Sequence, residues 1–591
     1  MIKLLKYLKK YWFFAILAPI FMILEVSMDM LVTNKMGKMI DTVNAYTVGS
    51  DNALFLNTII TTGLVMLGFV IIGVICGILS GVFANLASLK FANDLRKDLF
   101  KKIMHLSFEQ TDDFSTGSLI TRVTNDVTSV QMMVAQAIRM FVRSLSMFVL
   151  GIVFTINISK QFVLILAIAL PLEILIMLFF MKKAFPMFSI VQSKVDKVNS
   201  VVHENLTGVR VVKAFSKEDY ELDRFQKANN DLTSITLKVN KLAAIIMPLF
   251  MLIIYCGTIA IYYIGATKQF EAFATSIDPT ISVGDTQKAV TYITMIMSSL
   301  LMIGMTFASM VRAIASAKRI NEVLSTPEVI VDGNLDIDTL TEKGSIEFKN
   351  VSFTYPKGQS LVLDNLNFKI NQGETIAIVG STGSGKTTLV NLITRFYDVT
   401  SGEILVDNHN VKEYKLKDLR NKIAIVLQKA ELFAGSIKEN IKWGKNDASD
   451  EEIEKAAKIA QAEEFILSKE GGYDEFVEEK GTSLSGGQKQ RMSIARAIIK
   501  KPEILIFDDA TSALDLVTEA KLYQAMKEEI SDTTKIVVAQ RIATAKNADK
   551  IIVLDGGQIV AFDTHDNLLL NCEVYQDIYN SQLKREGEIN G

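Results

Sequence analysis

The sequence predicts a multi-domain chain in which an all-α polytopic membrane domain with six transmembrane helices precedes a soluble α/β domain. Six apolar runs lie in about the first 325 of the 591 residues. Each run reaches the ~20 residues that a helix needs to cross a bilayer. A glycine-rich loop between a strand and a helix marks the second part. We expect the membrane domain over 1–325, a linker over 326–344 and the α/β domain over 345–591.

Each apolar run is predicted to be a helix, because a backbone inside lipid must satisfy its own hydrogen bonds. The connections after the second and fourth runs are long and basic, with seven Lys or Arg in 84–139 and eleven in 182–241. The positive-inside rule therefore places the N terminus, both connections and the α/β domain in the cytoplasm of a multi-pass plasma-membrane protein. We place the runs near Trp12–Val32, Thr58–Phe83, Met140–Ile158, Phe162–Phe180, Ala243–Ile264 and Thr291–Met310.

The two basic connections are predicted to be helical, since they contain few helix breakers. Their turns, around Phe108–Gly117 and Gly208–Arg224, would lie well below the bilayer. There they could dock on the cytoplasmic domain and carry its motion towards the membrane.

Charged residues within or at the ends of the spans are candidates for a substrate cavity, because a charge in lipid is costly. The acidic ones indicate either a site for a cation or proton or a wet cavity with no specific role, and both alternatives stay open. The net charge of −2 gives no indication of a nucleic-acid partner. The candidates are Glu25 and Asp29 on one helix face, Arg139 and Arg143 at the inner end of the third span, and Glu173 in the fourth.

A phosphate-binding loop is the clearest motif of the second half. The pattern GxxxxGK[ST] follows an apolar strand and precedes a helix, which is the context that the motif requires. Its glycines let backbone N–H groups approach phosphates, and the helix N terminus adds a favourable dipole. Lys386 would reach the β- and γ-phosphates of ATP. The loop residues are Gly380, Ser381, Thr382, Gly383, Ser384, Gly385, Lys386, Thr387 and Thr388.

Two further features support a P-loop NTPase domain that uses ATP and Mg²⁺. Asp508 ends the apolar strand Ile504–Asp508, so its carboxylate would emerge beside the metal that Thr387 also ligates. Tyr355 precedes a proline near the start of the domain, where its ring could stack on adenine.

The motifs follow one another in the order found in ATP-binding cassette (ABC) transporters, which the chain resembles over nearly its whole length. Six spans followed by a cassette resemble an exporter-type half-transporter. The resemblance implies two cassettes that meet head to tail, each site joining one chain's phosphate loop to the other's signature. It implies a Q-loop role for Gln428 near Mg²⁺ and the γ-phosphate, a D-loop containing Ser512 and Asp515, and a signature formed by Leu484, Ser485, Gly486, Gly487 and Gln488.

Two positions depart from the ABC pattern, and both concern catalysis. Asp509 stands where the resemblance implies a catalytic Glu, and Gln540 stands where it implies the H-loop His. Aspartate is one methylene shorter, which withdraws the carboxylate by ~1.5 Å. Glutamine donates a hydrogen bond but cannot take up a further proton or a positive charge at neutral pH. We therefore expect a degenerate, weakly hydrolytic site, and a heterodimer whose second half-transporter has the Glu, the His and an altered signature.

The function predicted from this combination is ATP-driven efflux of small amphipathic compounds, which include drugs, lipids or peptides, across the lipid bilayer. This subunit would bind ATP at its degenerate site and lend its intact signature to the partner. An ATP-gated channel or regulator and a lipid flippase are the alternatives, because they share the architecture.

Overall fold

The computed structural model describes residues 3–46, 52–275, 281–337, 342–356, 358 and 360–589. They form two compact units. The first unit consists of the described residues within 1–104 and 116–326. The second consists of the described residues within 105–115 and 327–591.

The described residues of the first unit form helices joined by short turns, with no strand among them. Six of the helical stretches are long and apolar enough to cross a membrane, and each contains one of the predicted spans. The helices are α1 (Lys6–Lys9), α2 (Trp12–Asn44), α3 (Asn52–Met104), α5 (Thr116–Thr121), α6 (Val127–Gln136), α7 (Val142–Ile158), α8 (Lys160–Thr207), α9 (Val209–Ala214), α10 (Glu218–Thr275) and α11 (Val283–Ser325).

The helices extend far beyond the apolar runs, as the helical interpretation of the basic connections predicts. α10, with 58 residues, is about 87 Å long at ~1.5 Å per residue, against a hydrocarbon core of ~30 Å. The predicted turns lie where α3 and α8 end. Two π-helical segments, Arg122–Asp126 and Ala137–Phe141, interrupt the third stretch, and the sequence pattern did not predict them.

Small residues allow the long helices to pack closely, as is usual in membranes. A Cβ added to Gly151 of α7 would lie 2.5 Å from a side-chain carbon of Ile296 on α11. Tyr292 of α11 is buried against α2, where its hydroxyl donates to the Met30 carbonyl oxygen at 3.0 Å. These contacts join α2, α7 and α11 into one core.

The second unit contains two larger sheets and a short two-stranded one. Its strands are β1 (Ile346–Phe353), β2 (Leu363–Ile370), β3 (Thr375–Gly380), β4 (Ser401–Val406), β5 (His409–Asn410), β6 (Ile423–Val426), β7 (Gly435–Ser436), β8 (Phe476–Val477), β9 (Ile504–Asp508), β10 (Thr534–Val538), β11 (Lys550–Asp555) and β12 (Gln558–Asp563).

The six-stranded sheet has the order β12-β11-β3-β10-β9-β6 and is parallel except for its edge strand β12. A four-stranded antiparallel sheet has the order β2-β1-β4-β5. Strands β3, β9 and β10 are mostly buried and mostly apolar, and their carboxyl ends meet at one edge. Ligands bind outside the carboxyl ends of strands in open α/β sheets, so this edge is where a site is expected.

Helices of the second unit cover both faces of the parallel sheet and complete two apolar cores. These helices are α12 (Lys386–Ile393), α13 (Leu416–Lys422), α14 (Ile437–Lys442), α15 (Asp450–Ile459), α16 (Glu463–Leu467), α17 (Gly486–Ile498), α18 (Leu516–Glu529), α19 (Ile542–Ala545), α20 (His565–Asn571) and α21 (Glu573–Ile589). The unit also contains α4 (Phe108–Phe114).

Candidate functional site

The glycine-rich loop leads from β3 directly into the N terminus of α12. Gly385 is the N-cap residue, with φ of +100°, a conformation that residues with a Cβ rarely adopt. A Cβ on Gly380 would lie only 2.1 Å from the Leu554 carbonyl oxygen of the neighbouring strand. The loop therefore needs glycine at both ends, and it leads an anion towards the N terminus of α12, where backbone N–H groups favour negative charge.

The polar groups of the loop suit a polyphosphate. Among the described residues, the Lys386 ammonium donates only to the loop's own carbonyl oxygens, those of Gly380 at 2.9 Å and Ser381 at 2.7 Å. The Ser384 hydroxyl is buried and has no hydrogen-bond partner among the residues that the structure describes. Burial lowers the pKa of Lys386, against the raising effect of Asp509 and Asp508. A bound polyanion would supply both groups with acceptors.

Thr387 and Asp508 place two oxygen ligands side by side at the edge of the sheet. The Thr387 hydroxyl donates to Asp508 Oδ1 at 2.9 Å. Burial raises the pKa of Asp508, the Thr387 bond opposes that shift, and the charge of Asp509 adds to it. Mg²⁺ prefers hard oxygen ligands and commonly uses one or two protein groups with phosphates and waters. The pair fits such an ion.

Asp509 is held by the amides of two glutamines that come from different loops. Its Oδ2 accepts from Gln428 Nε2 at 3.0 Å and from Gln540 Nε2 at 2.5 Å. Burial raises the pKa of Asp509, whereas the hydrogen bond from Gln428 and the charge of Lys386 lower it. The two departures from the ABC pattern thus contact each other.

These residues line one cavity of about 510 Å³. The structure brings together the predicted loop residues other than Ser384, the predicted metal ligands, and the two residues that depart from the ABC pattern, Asp509 and Gln540. Ser384 is buried and does not line the cavity. Ile578 and Gln582 of α21 also line it, and sequence reasoning missed them because no motif marks that helix. The predicted residues that line the cavity are Gly380, Ser381, Thr382, Gly383, Gly385, Lys386, Thr387, Thr388, Gln428, Asp508, Asp509 and Gln540.

Tyr355 lines a neighbouring cavity of about 390 Å³ instead. Its hydroxyl lies 2.9 Å from the Thr388 hydroxyl, which ties it to the first turn of α12. Its ring meets Tyr397 edge-on at 5.3 Å between centroids. The role of Tyr355 in binding adenine stays a prediction.

The signature segment lies at the N terminus of α17 and does not line this chain's own cavity. Leu484 is buried, whereas Ser485 and Gly486 are exposed. Ser485 and Gln488 form a reciprocal capping box, in which each side chain accepts from the other's backbone N–H. A Cβ on Gly486 would meet no atom within 4 Å. The segment therefore presents an ordered helix N terminus to its surroundings.

The D-loop residues are fixed to the site and to the next helix. The Ser512 hydroxyl donates to the Asp509 carbonyl oxygen at 2.9 Å. Asp515 is the N-cap of α18, where its carboxylate accepts from the Thr518 backbone N–H at 2.9 Å and the Thr518 hydroxyl at 2.7 Å.

The first predicted cytoplasmic turn forms α4, which packs within the second unit. The Phe108 ring lies 4.3 Å from that of Phe396, between centroids. The buried Gln110 side chain donates to the Pro327 carbonyl oxygen at 2.7 Å. A segment that joins α3 to α5 is thereby bound to the unit that contains the phosphate loop.

The charged residues of the spans are partly paired with one another. Arg143 Nη1 lies 2.5 Å from Glu25 Oε1, and its Nη2 lies 3.7 Å from Asp29 Oδ2. The Arg139 guanidinium packs against Gly81 of α3. Glu173 is 1% exposed, and neither of its carboxylate oxygens has a partner among the described residues. Glu25 and Asp29 therefore share one counter-ion.

Comparison with known proteins assigns the family. Residues 15–300 match the family described as ABC transporter transmembrane region, and residues 363–512 match the family described as ABC transporter. A protein of Bacillus subtilis (strain 168), described as the uncharacterized ABC transporter ATP-binding protein YfiB, is 38% identical over 99% of both chains. The chain belongs to the ABC transporters.

Two further proteins are similar to this ABC transporter over most of their length. The ATP-dependent lipid A-core flippase of Syntrophus aciditrophicus (strain SB) is 34% identical over 86% of this chain and 84% of that protein. The structure of a bacterial Atm1-family ABC exporter with ATP bound superposes with a TM-score of 0.78, at 24% identity, over 96% of this chain and 98% of that chain. The second likeness is one of fold.

The predicted fold class is confirmed: six apolar helices precede a nucleotide-binding domain with mixed sheets. The chain is an ABC exporter in which a transmembrane region is fused to an ATP-binding domain. It is therefore a multi-pass membrane protein that uses ATP to drive transport, and the ABC topology implies a cytoplasmic nucleotide-binding domain.

Proposed function

We propose that this ABC transporter is the degenerate-site subunit of a heterodimeric exporter in the plasma membrane. Its own phosphate loop binds ATP with Mg²⁺ and hydrolyses it slowly. Its signature completes the rapidly hydrolysing site on the phosphate loop of a different half-transporter. That partner has the catalytic Glu and His that this chain lacks.

The observation that carries the proposal is the contact between Asp509 and Gln540. Gln540 donates an amide hydrogen to Asp509, so the shorter carboxylate is held towards the sheet edge by the residue in the H-loop position. Gln428 donates to the same oxygen. A displacement of ~1 Å in a catalytic group can lower the rate ~10²-fold. A carboxylate that is both shorter and engaged by two amides is poorly placed to orient the attacking water.

The remaining groups of the site support ATP binding. Lys386 and the loop N–H groups would hold the phosphates, and Thr387 and Asp508 would hold Mg²⁺. The metal would neutralise charge on the β- and γ-phosphates. Binding without efficient hydrolysis leaves ATP in place through several cycles. The site then acts as a stable half of the cassette interface.

The signature supports the second half of the proposal. Ser485 and Gly486 are exposed at the N terminus of α17, where backbone N–H groups and the helix dipole favour a γ-phosphate. The first turns of this helix thus provide transition-state stabilisation to a phosphate that another chain binds. When ATP closes the two cassettes, α4 would transmit the movement to the long helices. The substrate cavity of the membrane domain would then change from inward-facing to outward-facing.

Two substitutions in the assembled pair test the assignment. Asp509→Ala should leave the ATPase rate within about twofold of the wild type, because the fast site lies elsewhere. Ser485→Ala should lower that rate at least about tenfold, because it removes a donor at the fast site. A loss of turnover in Asp509→Ala, or full activity in Ser485→Ala, would contradict the proposal.

The substrate is proposed to be a small amphipathic compound, with a lipid as the second candidate. Arg143 pairs with Glu25 and lies 3.7 Å from Asp29, so the acidic pair and its counter-ion form a mixed group and not a purely acidic site. A mixed group of acidic and basic side chains would suit an amphiphile with a charged headgroup. A relative named as a lipid A-core flippase also favours the lipid candidate.

Transport assays on the pair separate these candidates. Inverted vesicles should take up cationic dyes in an ATP-dependent manner if drugs are substrates. Proteoliposomes should flip a fluorescent phospholipid only with ATP if lipids are. Single-channel currents that need ATP, without vectorial uptake of either probe, would favour the ATP-gated channel instead.

A further inference from the structure

The C-terminal helix α21 forms part of the nucleotide cavity, although no sequence motif marks it. Its first turns are anchored in the domain core: Tyr575 is fully buried and its hydroxyl lies 2.7 Å from His565 Nδ1. Gln582 lies seven residues later, two turns along the same helix face. Ile578 and Gln582 both line the cavity that contains the phosphate loop.

Gln582 binds the backbone on either side of Arg541 with both ends of its amide. Its Nε2 donates to the Gln540 carbonyl oxygen at 2.7 Å, and its Oε1 accepts from the Ile542 N–H at 2.8 Å. The last sheet bond before this point joins the Ala539 N–H to the Ile378 carbonyl oxygen at 3.0 Å. Beyond the end of β10, the Gln582 amide therefore pairs with the backbone as a neighbouring strand would.

This clamp fixes the residue that contacts Asp509. The Gln540 backbone is held by Gln582, and its side chain donates to Asp509 in the nucleotide cavity. A shift of α21 would move the Gln540 carbonyl and with it the amide that points towards the phosphate end of the cavity. The hydrogen bonds form one chain from the C-terminal helix to the site.

We propose that Gln582 is a positioning residue for the nucleotide site, which acts through Gln540 and makes nucleotide affinity depend on the placement of α21. The role deepens the proposed function, since it concerns the pocket in which ATP is retained. It also gives the C-terminal helix a direct means of regulating that retention.

The test measures binding of Mg²⁺–AMP-PNP to the purified full-length chain by titration calorimetry. Gln582→Ala removes both bonds. Gln582→Glu keeps the acceptor for the Ile542 N–H but sets a carboxylate against the Gln540 carbonyl oxygen. Both should weaken binding about five- to tenfold, the effect of one or two hydrogen bonds. Ser581→Ala is the matched control, because the Ser581 hydroxyl is exposed and its hydrogen bond in the described part of the chain goes to the Ile578 carbonyl oxygen of its own helix.

A double-mutant cycle separates positioning from a general effect on folding. In a Gln540→Ala background, Gln582→Ala should change the affinity by less than about twofold, because the side chain through which it acts is gone. An equal loss in both backgrounds, unchanged affinity in both Gln582 variants, or failure of both to fold would overturn the proposal. AMP-PNP is not hydrolysed, so brisk ATPase activity of the chain alone would contradict the proposed function and leave this test valid.

Discussion

Asp509 adopts a left-handed backbone conformation, with φ of +53°, immediately after the buried strand β9. Asp and Asn enter this conformation more readily than longer side chains, because their short polar groups bond locally. In this position Asp509 receives both glutamine amides on one oxygen. The residue is therefore well accommodated as an aspartate, and the site is built around it.

The raised pKa values of Asp508 and Asp509 give the site a pH dependence. Burial disfavours the ionised form of both carboxylates, so above their raised pKa values the two charges destabilise the folded site. This destabilisation disappears as the pH falls and the carboxylates become protonated. A protonated Asp508 cannot ligate Mg²⁺. Adding Mg²⁺ should increase the affinity of the site for ATP, and this increase should become smaller as the pH falls. The decline should occur at a pH above ~3.9, the value at which an exposed aspartate titrates.

Calorimetric titrations with ATP, with Mg²⁺ or with EDTA, between pH 7.5 and 5 measure this gain. Asp508→Asn is the control: its gain should be small, and any pH dependence that remains comes from ATP, because a terminal phosphate itself titrates at about pH 6. If Mg²⁺ increased the ATP affinity of the wild type and of Asp508→Asn equally at each pH, Asp508 would not hold the metal.

At the scale of elements, α4 is the part of the chain between α3 and α5 that belongs to the nucleotide-binding unit. Phe108→Ala would remove the ring contact with Phe396 and loosen this attachment. We expect transport by the assembled pair to fall several-fold while at least half of its ATPase activity remains. Phe108→Tyr keeps the ring and should retain both activities. Equal losses of transport and ATPase in Phe108→Ala would argue against a coupling role.

The sequence predicted the elements whose signals are local. Apolar runs located the six spans, and strand, loop and helix agreed around Gly380–Thr388. Two features escaped it. The π-helical segments Arg122–Asp126 and Ala137–Phe141 leave the apolar pattern almost unchanged. The contact of Gln582 with Gln540 joins residues 42 apart, and a lone glutamine on a helix gives no signal of such a partner.

Asp509 and Gln540 illustrate the same limit. Their identities marked two departures from the ABC pattern, but the sequence did not show that they would share a hydrogen bond across 31 residues. The bond arises because parallel strands β9 and β10 are neighbours, so the residues after their carboxyl ends meet at one edge.

At the scale of the whole molecule, the proposed function combines two unlike chains. In the proposed heterodimer, the phosphate loop of this chain retains ATP and that of the partner turns it over. This chain keeps a complete signature, so replacing its two unusual residues by those of the ABC pattern should restore hydrolysis between two copies of the chain. The positive control is therefore Asp509→Glu combined with Gln540→His.

The decisive measurement is the steady-state ATPase rate of the purified full-length chain in lipid nanodiscs. We expect a wild-type rate near background, and a rate on the order of 10²-fold higher for the Asp509→Glu, Gln540→His double variant. Rapid hydrolysis by the wild-type chain alone, abolished by Lys386→Ala, would contradict the assignment of a degenerate site.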